Sequence, residues 1–220
     1  MSLLSPVTLA VIAKEPVPGR VKTRLTPPCT PQHAAMIAEA ALRDTFAAVM
    51  AAPALRRICV LDGSPGAWLP AGVDVMPQVG GGLDERLAAA FGAVDGPMFL
   101  IGMDTPQITA SVLANAAETL ASPGGFDAVL GMTHDGGYWG IGLRHGHDPD
   151  LIRGVPMSRD DTGAQQLDRL LAKGLTVDLR LPVLTDVDHF AEARTVAREA
   201  PGTYFAAAVS VAAASLEAAA

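Results

Sequence analysis

The sequence predicts a single α/β domain in which helices cover both faces of a mostly parallel β-sheet, an α/β/α sandwich. Its 220 residues match the length of one large domain, and 50% of them are hydrophobic, which is enough to build a sizeable core. Short apolar runs rich in β-branched residues alternate with longer segments of helical periodicity, the pattern of βαβ units. No internal repeat or low-complexity linker interrupts this alternation.

The strands are predicted from short apolar runs bounded by glycine, proline or polar residues. The run VTLAVIA at residues 7–13 predicts a buried strand that ends ahead of Pro16, and MFLIGM at 98–103 is the clearest interior strand. The other predicted strands are residues 58–61, 73–79, 128–132, 138–143 and 176–181.

The helices are predicted from apolar residues at helical spacing, together with capping residues at their starts. Thr30 is a typical N-cap for a helix over 31–52, and Thr109 is the expected cap of a helix over 109–121. The remaining predicted helices are residues 83–94, 162–172 and 190–200. We expect residues 1–203 to form the domain and the alanine-rich residues 204–220 to form a tail, as a packed or frayed helix.

The composition argues against several classes of protein. The 16 basic and 23 acidic residues give a net charge of -7, which disfavours binding to a nucleic-acid polymer because phosphate backbones are held by clustered positive charge. Neither a signal peptide nor a run of about 18 apolar residues is present, so we expect no membrane association and a cytoplasmic location. Cys29 and Cys59 are too few for a disulfide framework. The sequence leaves open whether the protein is a monomer or a homodimer.

The first candidate site is the basic segment AKEPVPGRVKTRL, which follows the first predicted strand. It carries four cations within eleven residues of an otherwise acidic protein, namely Lys14, Arg20, Lys22 and Arg24. Ligands of parallel α/β sheets bind beyond the carboxyl ends of the strands, and convergent Lys and Arg side chains suit a di- or triphosphate. The alternative is a solvated charged loop. Neither a Walker loop nor a GxGxxG motif is present, which argues against a P-loop NTPase or a dinucleotide-binding protein.

Three aspartates that follow predicted strands are candidates for binding a divalent cation. Asp104 lies in LIGMDTP, where a carboxylate at the end of a buried strand needs solvent, an ion pair or a bound cation. Asp186 and Asp188 in LTDVDHF share a face if that segment is extended, and Asp188 is the stronger candidate of the two. The alternatives are that Asp104 caps a turn or helix and that Asp188 caps the helix over 190–200.

Two glycine-containing segments also follow predicted strands. QVGGGL at residues 78–83 leads into a helix. One interpretation is that it binds the base or the ribose of a nucleotide, and the alternative is a flexible turn. In HDGGYWGIGL at 134–143 the paired glycines have two interpretations. They let the backbone approach a ligand closely beside Tyr138, or they form an ordinary hairpin turn, and the two interpretations are compatible. No zinc-hydrolase pattern and no GxSxG nucleophile motif occurs.

Taken together, AKEPVPGRVKTRL, LIGMDTP, DGGYWGIGL and TDVDHFAEA resemble, in this order, a bacterial family of small transferases. The resemblance runs from about Val7 to Ala197, and KTRL and DGGY are its most specific parts. That family has the glycosyltransferase-A, or nucleotide-diphospho-sugar transferase, fold. Some of its members are labelled glycosyltransferases of arsenosugar biosynthesis, and it is similar to phospholactate guanylyltransferase and more distantly to molybdenum-cofactor guanylyltransferase.

The resemblance implies roles for individual residues, beginning with Asp104 and Asp188 as ligands of Mg²⁺ or Mn²⁺. Together with the reasoning from the residues, it makes Lys22, Arg24 and Asp104 the expected catalytic residues. The expected nucleotide-binding residues are Lys14, Arg20, Lys22, Arg24, Gln78, Gly82, Leu83 and Arg86. The expected acceptor side is Asp135, Gly136, Gly137, Tyr138 and Ser158. Departures from the family pattern, such as Met157 in place of a tryptophan, cluster on this acceptor side.

We therefore expect a metal-dependent transferase that acts on a nucleotide-activated donor by positioning and electrostatic stabilisation, without a protein nucleophile. Nucleotidyl transfer from an NTP to a small phosphorylated acceptor is favoured by the dense basic loop and by a DxP rather than a DxD motif. Glycosyl transfer from an NDP-sugar is the alternative that the family labels favour. A nucleotide-binding module without turnover is the second alternative.

Overall fold

A computed structural model describes residues 6–218 and confirms the predicted α/β architecture, with one seven-stranded sheet in the order β3-β2-β1-β4-β6-β5-β7. The strands are β1 (Thr8–Lys14), β2 (Arg56–Asp62), β3 (Asp74–Pro77), β4 (Met98–Ile101), β5 (Ala128–Met132), β6 (Tyr138–Leu143) and β7 (Val177–Asp178). The helices are α1 (Pro31–Ala51), α2 (Leu83–Gly92), α3 (Ala110–Ala121), α4 (Thr162–Ala172), α5 (Phe190–Glu199) and α6 (Tyr204–Ala218). Two 3-10 helices span Thr23–Leu25 and Pro149–Leu151.

The sheet is parallel except for β6, which runs antiparallel to both of its neighbours, β4 and β5. Strands β5 and β6 form the hairpin that the Asp-Gly pair predicts. Because β6 reverses direction between them, β4 and β5 end at the same edge of the sheet. The turn over residues 133–137 therefore lies at the carboxyl edge, beside the ends of β1, β2 and β4.

Side chains alternate between two apolar layers on the two faces of the sheet, as the pleat of a buried strand requires. On one face Leu9 of β1 packs with Phe46 of α1 and Leu113 of α3. On the other face Ala10 packs in a cluster that includes Phe91 of α2. Burying each large side chain of this kind contributes about 1.5–3 kcal/mol. This double coverage forms the α/β/α sandwich.

The C-terminal helix α6 packs against α1 and α5. The carboxylate of Asp44, on α1, accepts hydrogen bonds from the backbone N–H groups of Tyr204 at 3.1 Å and Phe205 at 2.7 Å. These contacts satisfy donors that a helix N-terminus leaves free, so α1 fixes the start of α6. Residues 219–220 of the expected tail lie outside the described residues, and the division at residue 203 stays a prediction. None of the helices within residues 6–218 has the length and apolar composition needed to cross a membrane.

The two edge strands are shorter than predicted. Strand β3 pairs with β2 over four residues only, where a strand over 73–79 was expected. Strand β7 is limited to two residues because the Asp178 carboxylate accepts a hydrogen bond from the Arg180 backbone N–H at 2.9 Å, a local turn that bends the chain away from β5. Thr30 and Thr109 cap α1 and α3 as predicted, accepting from His33 N and Val112 N.

Candidate functional site

A cleft of about 440 Å³ opens at the carboxyl edge of the sheet. Most of the sequence-predicted site residues line it, which confirms that the post-strand positions converge. We call one side the basic half, which consists of Lys14, Arg24, Gln78, Leu83, Arg86, Asp104, Asp186 and Asp188. We call the other side the hairpin half, which consists of Thr133, Asp135, Gly137, Tyr138, Met157, Ser158, Arg159, Asp160 and Thr162.

The remaining predicted residues lie beside this cleft or behind it. Arg20 and Lys22 line an adjoining depression of about 290 Å³ whose walls also include Lys14, Asp104 and Asp188, and we count this depression with the basic half. Gly82 is the N-cap of α2, and Gly136 lies in the hairpin turn; neither lines the cleft. The two depressions share walls, so the cations of the basic segment surround one pair of carboxylates.

Lys22 connects the basic segment to those carboxylates. Its backbone adopts a left-handed conformation with φ of 48°, and the 3-10 helix over Thr23–Leu25 follows at once. The side chain is only 7% exposed, and its Nζ lies 2.7 Å from Asp104 Oδ1. Nζ also donates a hydrogen bond to the carbonyl oxygen of Val187. The same lysine thus joins the segment after β1 to the loop after β4 and to residues 186–188.

The acidic segments lie side by side. The Val187 backbone N–H donates to the carbonyl of Asp104 at 3.0 Å, and Arg24 pairs with the carboxylate of Asp188. Burial raises the pKa of Asp186 to about 7, with further upward contributions from Asp104, Asp188 and Asp135, while Lys22 opposes them. Neighbouring carboxylates of this kind disfavour one another's ionisation and attract a cation.

The carboxylates of Asp104 and Asp188 are ligands of the chemical kind that a divalent cation such as Mg²⁺ takes. Both carboxylates line the cleft, and Asp104 Oδ1 is a buried oxygen whose partner is the Lys22 ammonium at 2.7 Å. Mg²⁺ is typically held by one or two carboxylates together with water and substrate phosphates. Within residues 6–218 no three His, Cys, Asp or Glu side chains are placed to hold a metal by themselves, so substrate and water would complete the coordination.

The helix-cap alternatives do not hold for either aspartate. Helix α3, which follows Asp104, is capped by the hydroxyl of Thr109, and the N-cap of α5 is His189 rather than Asp188. The His189 backbone N–H is satisfied by the Glu192 carboxylate at 2.7 Å. Both aspartates are therefore free of a capping role and line the cleft.

A second network orients Arg86 at the floor of the basic half. Arg86 donates to Gln78 Oε1 at 3.0 Å and to the Gly81 carbonyl at 3.1 Å, and its guanidinium lies 3.6 Å from Asp62 Oδ2. The Gln78 amide donates in turn to the carbonyls at the ends of β1 and β2. All the polar atoms of the Gln78 side chain are thus used within the protein. Gln78 therefore holds Arg86 in place and also lines the cleft, and its part in nucleotide binding stays a prediction.

The hairpin half is built by backbone packing. A Cβ atom added at Gly136, which has φ of 88°, would lie 1.8 Å from the carbonyl oxygen of Asp160. The Gly163 N–H donates to the Gly136 carbonyl at 2.9 Å. Gly136 therefore permits close approach to the loop over residues 156–162, whereas Gly137 lines the cleft, and its role beside a ligand stays a prediction. The hairpin-turn interpretation holds.

Several residues of the site were missed by the sequence analysis, among them Asp62 and Arg159. Asp62 ends β2 and lies 3.7 Å from Lys14 Nζ, so it contacts two cations of the basic half. It occupies the same post-strand position that singled out Asp104, and the same rule would have found it. Arg159 precedes α4 and follows no strand, and no motif in the sequence marks it.

Residues 36–159 match a family described as an uncharacterized protein conserved in bacteria, DUF2064. The chain belongs to this family. No curated protein matches the sequence. The expected similarity to phospholactate guanylyltransferase stays a prediction.

Solved structures with the same fold include a candidate nucleotide-diphospho-sugar transferase and several nucleotide-using enzymes. A candidate nucleotide-diphospho-sugar transferase from Desulfovibrio desulfuricans is 24% identical, with a TM-score of 0.83 over 96% of each chain. The 2-C-methyl-D-erythritol 4-phosphate cytidylyltransferase of Thermus thermophilus is 17% identical, with a TM-score of 0.53 over 89% of this chain and 98% of that one. Glucosyl-3-phosphoglycerate synthase of Mycobacterium tuberculosis, solved with Mn²⁺ and UDP, is 11% identical, with a TM-score of 0.52 over 83% and 72% of the two chains. At these identities the likenesses establish the fold of the present chain.

Proposed function

We propose that this protein is a metal-dependent transferase that acts on a nucleotide-activated donor, and that its reaction is nucleotidyl transfer from an NTP to a small phosphorylated acceptor. The observation that carries the proposal is the pairing of opposite charges in the basic half, where Lys22 meets Asp104 and Arg24 meets Asp188. A polyphosphate with a divalent cation complements both partners of each pair, because the carboxylates take the cation and the basic side chains take the phosphates.

Asp104 and Asp188 would hold Mg²⁺ or Mn²⁺. When bound, such a cation acts as a Lewis acid on the donor phosphates and offsets the charge of the leaving group. Lys14, Arg24 and Arg86 bind and orient the phosphate chain, and Lys22 supplies positive charge from a nearly dry position. Because these groups stand ready at the cleft wall, the rate enhancement comes from positioning and electrostatic stabilisation.

The hairpin half receives the acceptor. Burial raises the pKa of Tyr138, so its phenol stays protonated and can only donate or accept a hydrogen bond as a neutral group. The Asp135 carboxylate accepts from the Thr133 hydroxyl and from the Gly137 N–H, which fixes its orientation at the cleft.

The base of the donor lies in the basic half. The exposed Leu83 at the start of α2 offers an apolar surface to it.

Glycosyl transfer from an NDP-sugar is the second candidate. It is supported by the fold likeness to glucosyl-3-phosphoglycerate synthase, which was solved with Mn²⁺, UDP and glucosyl-3-phosphoglycerate. The two reactions differ in the bond that breaks. In nucleotidyl transfer an acceptor oxygen attacks the α-phosphorus and pyrophosphate leaves, whereas in glycosyl transfer it attacks the sugar carbon and a nucleoside diphosphate leaves.

The test begins with a panel of NTPs and NDP-sugars, each with Mg²⁺ or Mn²⁺, screened by thermal shift because a ligand of the native state raises its apparent stability. The nucleotides that bind are then incubated with small phosphorylated acceptors. Release of pyrophosphate is the expected result. Release of a nucleoside diphosphate would establish the second candidate, and metal-dependent binding without any release would identify a non-catalytic nucleotide-binding module.

The metal assignment is tested separately with Asp104→Asn. This change preserves the side-chain shape but removes the charge. The factor by which Mg²⁺ or Mn²⁺ raises nucleotide affinity, called here the divalent enhancement, should therefore fall by more than about tenfold in calorimetry. Asp74→Asn is the matched control, since Asp74 forms an exposed ion pair with Arg56 and does not line the cleft. An unchanged divalent enhancement in Asp104→Asn would reject the role of Asp104.

A further inference from the structure

The two halves of the cleft differ in their supply of positive charge. Among the described residues that line the cleft, the cations are Lys14, Arg24, Arg86 and Arg159. The first three belong to the basic half, where the donor phosphates are proposed to bind. Arg159 is the single cation of the hairpin half, within the residues that the structure describes.

The loop that carries Arg159 is rigidly held. Thr162 is 5% exposed, and its hydroxyl donates to the Pro156 carbonyl at 2.9 Å and accepts from the Arg159 N–H at 3.0 Å. Ser158, next to Arg159 at the cleft wall, has a left-handed φ of 59°, which is unfavourable for a residue with a side chain. Backbone strain of this kind persists where the surrounding structure imposes it, commonly at ligand-binding positions.

The guanidinium of Arg159 is also available. It lies 3.1 Å from the carboxylate of Asp161, and the two side chains are 58% and 43% exposed. Exposed ion pairs contribute little net stability because water competes for both partners. A ligand oxyanion that binds the guanidinium bidentately can therefore displace Asp161 at small cost. By contrast, Arg86 in the basic half is held by several acceptors, as described above.

We propose that Arg159 is the residue that recognises the acceptor, by binding a phosphate or carboxylate group of that small molecule. The inference rests on the proposed function, because it takes the basic half to be occupied by the donor. It also narrows the substrate class: the acceptor carries an oxyanion in addition to the oxygen that reacts. The carboxylates Asp135 and Asp160 on the same wall repel an anion that is not seated on Arg159, so this contact fixes the orientation of the acceptor.

The experiment uses the full-length protein saturated with Mg²⁺ and tripolyphosphate, a probe that occupies the donor cations whatever the base preference. Inorganic phosphate and acetate are then titrated separately by calorimetry, as probes of the two oxyanions. We expect at least one of them to bind the wild type, and Arg159→Gln to weaken that binding by about tenfold or more. Arg159→Lys should give an intermediate loss, because lysine keeps the charge but not the planar fork.

Arg153→Gln is the matched control. Arg153 forms an exposed ion pair with Glu85 at 2.9 Å and does not line the cleft. Removing the charge of Arg153 should therefore leave the affinity for phosphate and acetate unchanged. Equal affinity in Arg159→Gln and Arg153→Gln, or no binding of either oxyanion to the wild type, would overturn the proposal. If tripolyphosphate itself fails to bind, the proposed function fails and the acceptor role of Arg159 fails with it; weaker phosphate binding in Arg159→Gln than in Arg153→Gln would then show only that Arg159 binds an oxyanion.

Discussion

The two halves of the cleft are held in place by different interactions. In the basic half, loops from distant parts of the chain are joined through side-chain charges, as in the contact of Lys22 with Asp104 and that of Arg24 with Asp188. In the hairpin half, the turn over residues 133–137 and the loop over 156–162 contact each other backbone to backbone, with Gly136 at the point of closest approach.

This difference separates the part of the site that must rearrange from the part that must not. Charges that pair with each other in the absence of ligand have to exchange partners when a metal and a phosphate chain enter. Backbone packing offers no such exchange, so the hairpin half keeps one shape and can act as a fixed template for a second substrate. Substitutions in the two halves should therefore have different consequences.

Gly136→Ala should have the largest effect on stability. The added methyl group meets the Asp160 carbonyl, and an L-residue is strained at a φ of 88°, so we expect a loss of about 2–5 kcal/mol in the free energy of unfolding. Urea denaturation measures this loss. Gly80→Ala is the control, since a Cβ at Gly80 meets nothing within 4 Å and its stability should change by less than about 0.5 kcal/mol. Similar values for the two variants would show that the hairpin half is not held by this contact.

The glycine illustrates what the sequence predicts and what it does not. An Asp-Gly pair between two apolar runs predicts a hairpin turn from local chemistry, and the turn is present. Whether the open face of the glycine meets a ligand or another loop depends on residues 156–162, about twenty residues or more further along the chain. Arg159 escaped the sequence analysis for the same reason, because only the docking of that loop brings it to the cleft.

Positions governed by sheet topology were more predictable. Lys14, Asp104 and Asp188 were found because the ends of parallel strands meet at one edge, a rule that needs only the order of strands and helices. The bounds of the edge strands were less predictable, since β7 ends through the side-chain contact of Asp178 with Arg180 N–H rather than through a glycine or proline. Spatial rules therefore predicted the convergence of the site, and side-chain contacts determined its details.

Lys22→Met should have an intermediate effect and should alter the response to metal. Methionine keeps an apolar stem but removes the charge beside Asp104, Asp186 and Asp188. In the absence of Mg²⁺ we therefore expect the free energy of unfolding to fall by about 1–3 kcal/mol. Mg²⁺ then replaces the missing charge, and it should raise the melting temperature of the variant more than that of the wild type.

The control for this prediction is Lys173→Met. Lys173 pairs with Asp148 at 3.0 Å, neither residue lines the cleft, and both side chains are substantially exposed, so neither stability nor the response to Mg²⁺ should change noticeably. If Mg²⁺ stabilises Lys22→Met and the wild type equally, then Lys22 and the cation do not act on the same carboxylates.

Asp62→Asn should have the smallest effect on stability of the three substitutions, and it should strengthen the binding of phosphate rather than weaken it. Asp62 lies 3.7 Å from Lys14 and 3.6 Å from Arg86, and all three side chains are partly exposed. The free energy of unfolding should therefore fall by no more than about 1 kcal/mol. Removing its charge frees both cations for phosphate, and we expect tripolyphosphate with Mg²⁺ to bind a few times more tightly than in the wild type, as measured by calorimetry. Asp74→Asn, whose partner Arg56 lies outside the cleft, should leave this affinity unchanged. Weaker binding in Asp62→Asn would mean that the carboxylate positions Lys14 and Arg86 for the ligand instead of competing with it, which would make the basic half as dependent on fixed geometry as the hairpin half.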